Sequence, residues 1–134
     1  MLEQISIFAE NTKGAMQKMT QILLDENINI LGSVTNDSAE YGTVRMIVSD
    51  TDKACEAFTR AGYLCRKTDV LGIQIEDKVG EMNRLLLAIA DCNISVNYVY
   101  LTFHRESAMP VLIINTNDIM EVEDCLMNKG FVSL

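Results

Sequence analysis

Two short polar segments, Glu10-Asn11-Thr12-Lys13-Gly14 and Glu76-Asp77-Lys78-Val79-Gly80, hold the residue types best suited to recognising a small charged molecule. Each lies between an alternating apolar run and a stretch of helical period, so each joins the end of a strand to the first turn of a helix. First-turn N–H groups have no partner inside their helix, and the helix dipole adds positive potential, so such a turn suits a carboxylate. Glu10, Asn11, Glu76 and Asp77 can accept hydrogen bonds from an ammonium group. Gly14 and Gly80 lack a Cβ and permit close approach. The same residues also fit a plainer role, with Asn11 and Asp77 capping helices and the glycines relaxing a tight turn.

Other reactive residue types offer less. His104 stands beside Arg105 and Glu106 in a polar loop, with no nucleophile placed to complete a triad. Cys55, Cys65, Cys92 and Cys125 are spaced by 10, 27 and 33 positions, with no CxxC pair and one His in the chain. That spacing does not suit zinc, and the four read as reduced, mostly buried thiols. The eight Met residues serve as core filler rather than a metal-binding set. The acidic residues Asp50, Asp52 and Glu56, and later Asp118, Glu121, Glu123 and Asp124, gather at helix starts without the spacing of a calcium loop. No metal, cofactor or catalytic residue is expected.

The elements that position the two loops repeat. Shifting the chain by 66 residues sets Ile7 on Ile73, Glu10 on Glu76, Gly14 on Gly80, Met16 on Met82, Asp25 on Asp91 and Asn27-Ile28 on Asn93-Ile94. Each copy reads strand, helix, strand, strand, helix, strand. In the first, Leu2 to Ala9 alternates, and Met16, Met19, Ile22 and Leu23 form a helical stripe. Asn27 marks a left-handed helix end. Strands at 28–36 and 43–49 flank a hairpin loop from Asp37 to Gly42. Asp50 to Asp52 cap a helix bearing Ala54, Ala57, Phe58 and Ala61, and a last strand opens at Tyr63. The second copy follows with Leu71 to Glu76, the stripe Met82, Leu85, Leu86 and Ile89, strands at 94–103 and 109–115, a helix with Ile119, Val122 and Leu126, and a closing strand at 131–134. The order predicts an α+β chain of two ferredoxin-like βαββαβ units, residues 1–68 and 69–134, each an antiparallel sheet with its helices packed on one face. No Gly-, Pro- or Ser-rich linker separates them, so the halves are expected to pack together; strand 94–103 is apolar on both faces, so association into a homodimer or larger assembly is also expected.

The 134 residues suffice for one ordinary domain or two small ones, and 49% hydrophobic with 22% charged residues is a foldable composition. A formal charge of −8 argues against a nucleic-acid or anionic membrane partner. The apolar runs are too short for a bilayer span, and the first residues lack the pattern of a signal peptide, so a cytoplasmic protein is expected.

A strand, then Asn11-x-x-Gly14, an apolar-striped helix and Asn27-Ile28-Asn29-Ile30 resemble the ACT domain, the small regulatory module of amino-acid metabolism. Asp77-x-x-Gly80 with Asn93-Ile94-Ser95-Val96 resembles it again. The resemblance covers essentially the whole chain and implies a stand-alone, non-catalytic, amino-acid-binding regulatory protein with two ACT units. It further implies that a free amino acid binds at interfaces between ACT units, where the loop after the first strand meets a neighbour's second strand. Carried over by position, the ligand-binding residues are Asn11, Lys13, Gly14, Asn29 and Leu31, with Asp77, Val79, Gly80, Asn97 and Val99. The chain departs from the family where Lys13 and Val79 replace a proline common before the glycine. A second reading is a regulatory interaction subunit of an amino-acid biosynthetic enzyme, similar to the acetolactate synthase regulatory subunit.

Overall fold

The computed structural model of the chain describes residues 1–36 and 41–134. The chain divides into two compact units, Glu3–Thr68 and Asp69–Leu134, the latter also including Met1–Leu2. The first contains β1 (Leu2–Glu10), α1 (Ala15–Asp25), β2 (Ile30–Asn36), β3 (Tyr41–Val48), α2 (Thr51–Arg60) and the start of β4 (Leu64–Gln74). The second contains the remainder of β4, then α3 (Glu81–Asp91), β5 (Tyr98–Phe103), β6 (Pro110–Asn115), α4 (Ile119–Asn128) and β7 (Val132–Ser133). The expected order is therefore present twice. Two predicted strands, from Tyr63 and from Leu71, are one uninterrupted β4.

In the first unit β3 pairs antiparallel with both β1 and β2, setting Ile5 opposite Met46 and Val34 opposite Arg45. In the second, β6 pairs antiparallel with β4 and β5, and β7 adds to β4. The strand predicted over 94–103 begins only at Tyr98. Residues 94–97 instead hold the end of the unit in place: Thr116 donates to the Ser95 carbonyl (2.9 Å), and the Asn97 side chain donates to Asn115 Oδ1 (2.8 Å). The hairpin expected over Asp37 to Gly42 lies partly outside the described residues.

Each unit closes its own core with period-matched faces. Ile5, Ile7, Val44 and Met46 from strands meet Met19 and Leu23 of α1 and Ala54 and Phe58 of α2, all at most 3% exposed. Leu71, Ile73, Leu112 and Ile114 meet Leu85, Ile89, Val122 and Leu126 in the second unit. Burying a side chain of this size contributes roughly 1.5–3 kcal/mol, which selects the striped face of each helix. The helix ends follow the sequence. Lys53 N–H donates to Asp50 Oδ1 (3.1 Å), making Asp50 the N-cap of α2. Asn27 and Asn93 sit at φ 57° and 58°, the left-handed geometry that lets Ile28 N–H return to the Leu23 carbonyl (2.9 Å).

Cys92 and Cys125 form a disulfide that ties the end of α3 to α4, with Cα atoms 6.4 Å apart. This corrects the reading of four reduced thiols. The pair meets only through helix packing, which a separation of 33 residues does not reveal. Cys55 and Cys65 are free. Burial, with Cys55 beside it, pushes the Cys65 thiol up to about 12, as expected of an unreactive cysteine.

Candidate functional site

Each loop turns into its helix through a glycine. Gly14 (φ 81°) and Gly80 (φ 90°) are the N-caps of α1 and α3, and neither helix has a side-chain cap bond. Asn11 and Asp77 are thus not the caps that the plainer reading made them. A Cβ built at either glycine meets no atom within 4 Å, so the glycines answer the positive φ rather than crowding within the chain.

Over the first loop lies a cleft of about 340 Å³ lined by Ala9, Glu10, Asn11, Thr12, Gly14, Ala15, Met16, Gln17, Met19, Thr35, Asn36, Gly42 and Val44. Its floor is apolar, and its rim carries carboxylate, amide and hydroxyl groups with the first turn of α1. Met16 is 40% exposed although it belongs to the apolar stripe, because it faces this opening. Thr35 Oγ1 lies 3.9 Å from its sulfur.

A second cleft, about 470 Å³, lies over the second loop, with Glu76, Asp77, Lys78, Gly80, Glu81, Met82, Leu101 and Phe103 in its lining. Ten of its twelve lining residues fall, after subtraction of 66, on positions that line the first. The two are copies of one site with different side chains. At the second, Glu81 is only 4% exposed. Arg84 donates to it through Nε and Nη2, both at 3.0 Å, and Glu76 N–H lies 3.4 Å from Oε2. Bonding from Arg84 holds the Glu81 carboxyl below its ordinary value, against the opposing effect of burial, with help from the Glu76 N–H and Lys78. The Arg84 guanidinium lies 4.3 Å from the centre of the Phe131 ring.

The structure brings Asn11 and Gly14 together in the first cleft, and Asp77 and Gly80 in the second. Lys13 is exposed at the loop, and Val79 is fully exposed at its tip. The second-strand residues fall elsewhere. Asn29 exchanges bonds with Ser49, its N–H reaching Ser49 Oγ (2.9 Å) and its carbonyl accepting from Ser49 N–H (3.0 Å). Leu31 lies near the same, far end of β2. Asn97 holds Asn115, and Val99 packs on the second core. Within each unit, Thr35 and Asn36 of β2 line the first cleft, and Leu101 and Phe103 of β5 line the second. Among the described residues no group of His, Cys, Asp and Glu is arranged to hold a metal ion, and no helix is long and apolar enough to cross a membrane.

The split βαβ plan of a ferredoxin-like unit is thus present twice, with a glycine-turned loop at the first helix of each copy. The sequence profile of the ACT domain pair matches residues 1–132, and the chain belongs to that family. A solved protein of Bacteroides thetaiotaomicron is similar to it at 28% identity, with a TM-score of 0.90 over 99% of this chain and 91% of that one. The regulatory subunit of aspartate kinase from Thermus thermophilus shares its fold at 13% identity (TM-score 0.67; 94% and 91% covered). The corresponding subunit from Thermus flavus does so at 15% (0.63; 94% and 90%). None of the curated proteins matches the chain in sequence.

Proposed function

We propose that this protein is a non-catalytic sensor that binds a free amino acid in the cleft over Glu10 to Gly14 and passes the binding on to a partner. The carrying observation is the composition of that cleft. The open first turn of α1 offers N–H donors to a carboxylate, Glu10 and Asn11 offer acceptors to an ammonium, and Ala9, Met16 and Val44 offer apolar surface to a side chain. An apolar amino acid fits this division best. The cleft is open on one side, and a second chain in a homodimer or larger assembly would cover it. Asn29, Leu31, Asn97 and Val99 would join a site only as residues contributed by such a neighbour, with Lys13 and Val79 at the loop tips facing it.

Family membership and the fold shared with regulatory subunits of aspartate kinase support a regulatory role beside a catalytic chain. An interaction subunit acting without any ligand is the second reading, favoured by the exposed Leu101 and Phe103 on β5. Thermal unfolding and calorimetry with each common amino acid separate the two. A ligand at 100 times its dissociation constant stabilises by about 2.7 kcal/mol, a rise on the order of 10 °C in melting temperature. No shift and no heat with any amino acid, on folded protein, would overturn the sensor reading in favour of the interaction subunit.

A further inference from the structure

The two clefts differ most where the helix begins. Ala15 and Glu81 are the same position in the repeat. Ala15 ends in a methyl group, and α1 has no acidic residue in its first turn. Glu81 places a carboxylate over the second loop, gripped at both oxygens by Arg84, beside the Glu76 N–H and 3.9 Å from Lys78 Nζ. Those are the kinds of partner that an amino acid's carboxylate would require.

We propose that Glu81 is a built-in substitute for ligand: its carboxylate holds the second site closed to amino acids, so each chain binds a single amino acid, at the first site. This rests on the sensor reading above and adds which site works and why. Charge separates the loops in the same direction. Glu10 is offset by Lys13 and Lys18 around the first, whereas Glu76, Asp77 and Glu81 outnumber Lys78 and Arg84 around the second. An incoming carboxylate is drawn to the first loop and repelled from the second. Side chains sharpen the difference, because Thr35 and Asn36 of the first cleft are replaced at repeat positions by Leu101 and Thr102, removing an amide acceptor from the rim.

Titration calorimetry on the full chain tests this with L-leucine, L-isoleucine, L-methionine and L-phenylalanine in turn, and with L-leucinamide as the probe lacking a carboxylate. The expected result is one site per chain for an amino acid and at least tenfold weaker binding of the amide. Ala15→Glu, a favourable helix-start residue, should weaken binding at least tenfold, and Ala15→Gln less than Ala15→Glu. Glu81→Ala should raise the stoichiometry toward two, with Glu81→Ser as the substitute if the alanine variant does not fold. Two sites per chain in the parent, parent-like binding by folded Ala15→Glu, or a stoichiometry of one in the folded Glu81 variant would each overturn the proposal while leaving the sensor reading standing. Absence of heat with every amino acid would instead remove the sensor reading and this proposal with it.

Discussion

At the end of its first helix each unit meets its second helix, and the two units secure that meeting by different chemistry. Glu26 and Cys92 are the same position in the repeat. Glu26 accepts from Arg60 Nη2 at 2.7 Å, and Lys53 Nζ bonds the Glu26 carbonyl at 2.8 Å, so α1 and α2 are joined by a solvent-accessible ion cluster. Cys92 joins α3 to α4 covalently through Cys125. The helix starts differ in the reverse sense, with an open Ala15 in the first unit and an ion-paired Glu81 in the second. One unit is braced at the end of its first helix by charge and open at the start. The other is braced at both ends. A shared backbone plan thus leaves stability and binding to be divided between copies by a few side chains, and salt, redox state and pH should each act on one unit more than on the other.

The largest break in the comparison is removal of the disulfide. Cys125→Ser, or reduction with dithiothreitol, should cost roughly 3–4 kcal/mol for a cross-link spanning 33 residues, read as a lower urea midpoint. Because the first unit has no cross-link, hydrogen exchange should show the loss in α3 and α4 and leave α1 and α2 unchanged. Parent-like midpoints for the reduced protein would show that helix packing alone holds the second unit.

Next in size are the loop glycines. Val at either position is strained at φ 81° or 90°, at roughly 1–2 kcal/mol each, so Gly14→Val and Gly80→Val should lower stability alike. Amino-acid binding should fall only in Gly14→Val. Equal loss of binding in both would erase the distinction between the clefts.

A smaller effect is expected from Glu26→Ala, at most about 1 kcal/mol and diminishing as salt is added, since the pair is partly exposed. Insensitivity to salt would assign the junction to packing instead.

The pH dependence of Glu81 sharpens the comparison further. Arg84 lowers its carboxyl below the ordinary 4.5 in the folded chain, so its contribution is present above that value and fades as pH falls through the lower, folded one. The melting temperature of the parent should exceed that of Glu81→Gln at pH 7, and the gap should narrow as the pH falls below 4.5. A gap independent of pH would remove the ionic role of Glu81.

Much of this architecture was legible in the residues, and the misses have physical reasons. The offset of 66, the stripes through Met19 and Leu85, the Asp50 cap and the asparagine helix ends are local or periodic signals, and local chemistry decides them. The second-strand residues Asn29 and Leu31 stand away from the cleft of their own unit because of chain direction. α1 runs away from its loop for 11 residues, about 16 Å, and β2 returns alongside it. The loop therefore faces the end of β2, at Thr35 and Asn36, and not its beginning at Asn29 and Leu31. Chain direction thus leaves Asn29 and Leu31 able to reach such a loop only from a neighbour's strand, which is where the family resemblance puts them. The Cys92–Cys125 bridge was less accessible, because it depends on how two helices pack; the pairing of Glu81 with Arg84, three residues apart on α3, is a local signal, but its bearing on the cleft shows only when the copies are compared for differences instead of matches.

The ribosome meets the two units in an unequal order. Glu3–Thr68 is a continuous stretch that can finish folding once Thr68 has emerged, but the other unit needs Met1–Leu2, which precede that stretch, together with Asp69–Leu134, which follow it. The Met1 ammonium bonds the Leu134 carbonyl at 2.6 Å, Leu134 N–H bonds the Gly72 carbonyl at 2.8 Å, and Leu2 packs where a side chain on Gly72 would stand. That closure spans 133 positions, so it carries a larger loop-closure cost than the contacts within Glu3–Thr68. During synthesis Met1 and Leu2 therefore wait unpaired until the residues they meet, Gly72 and then Leu134, have been made.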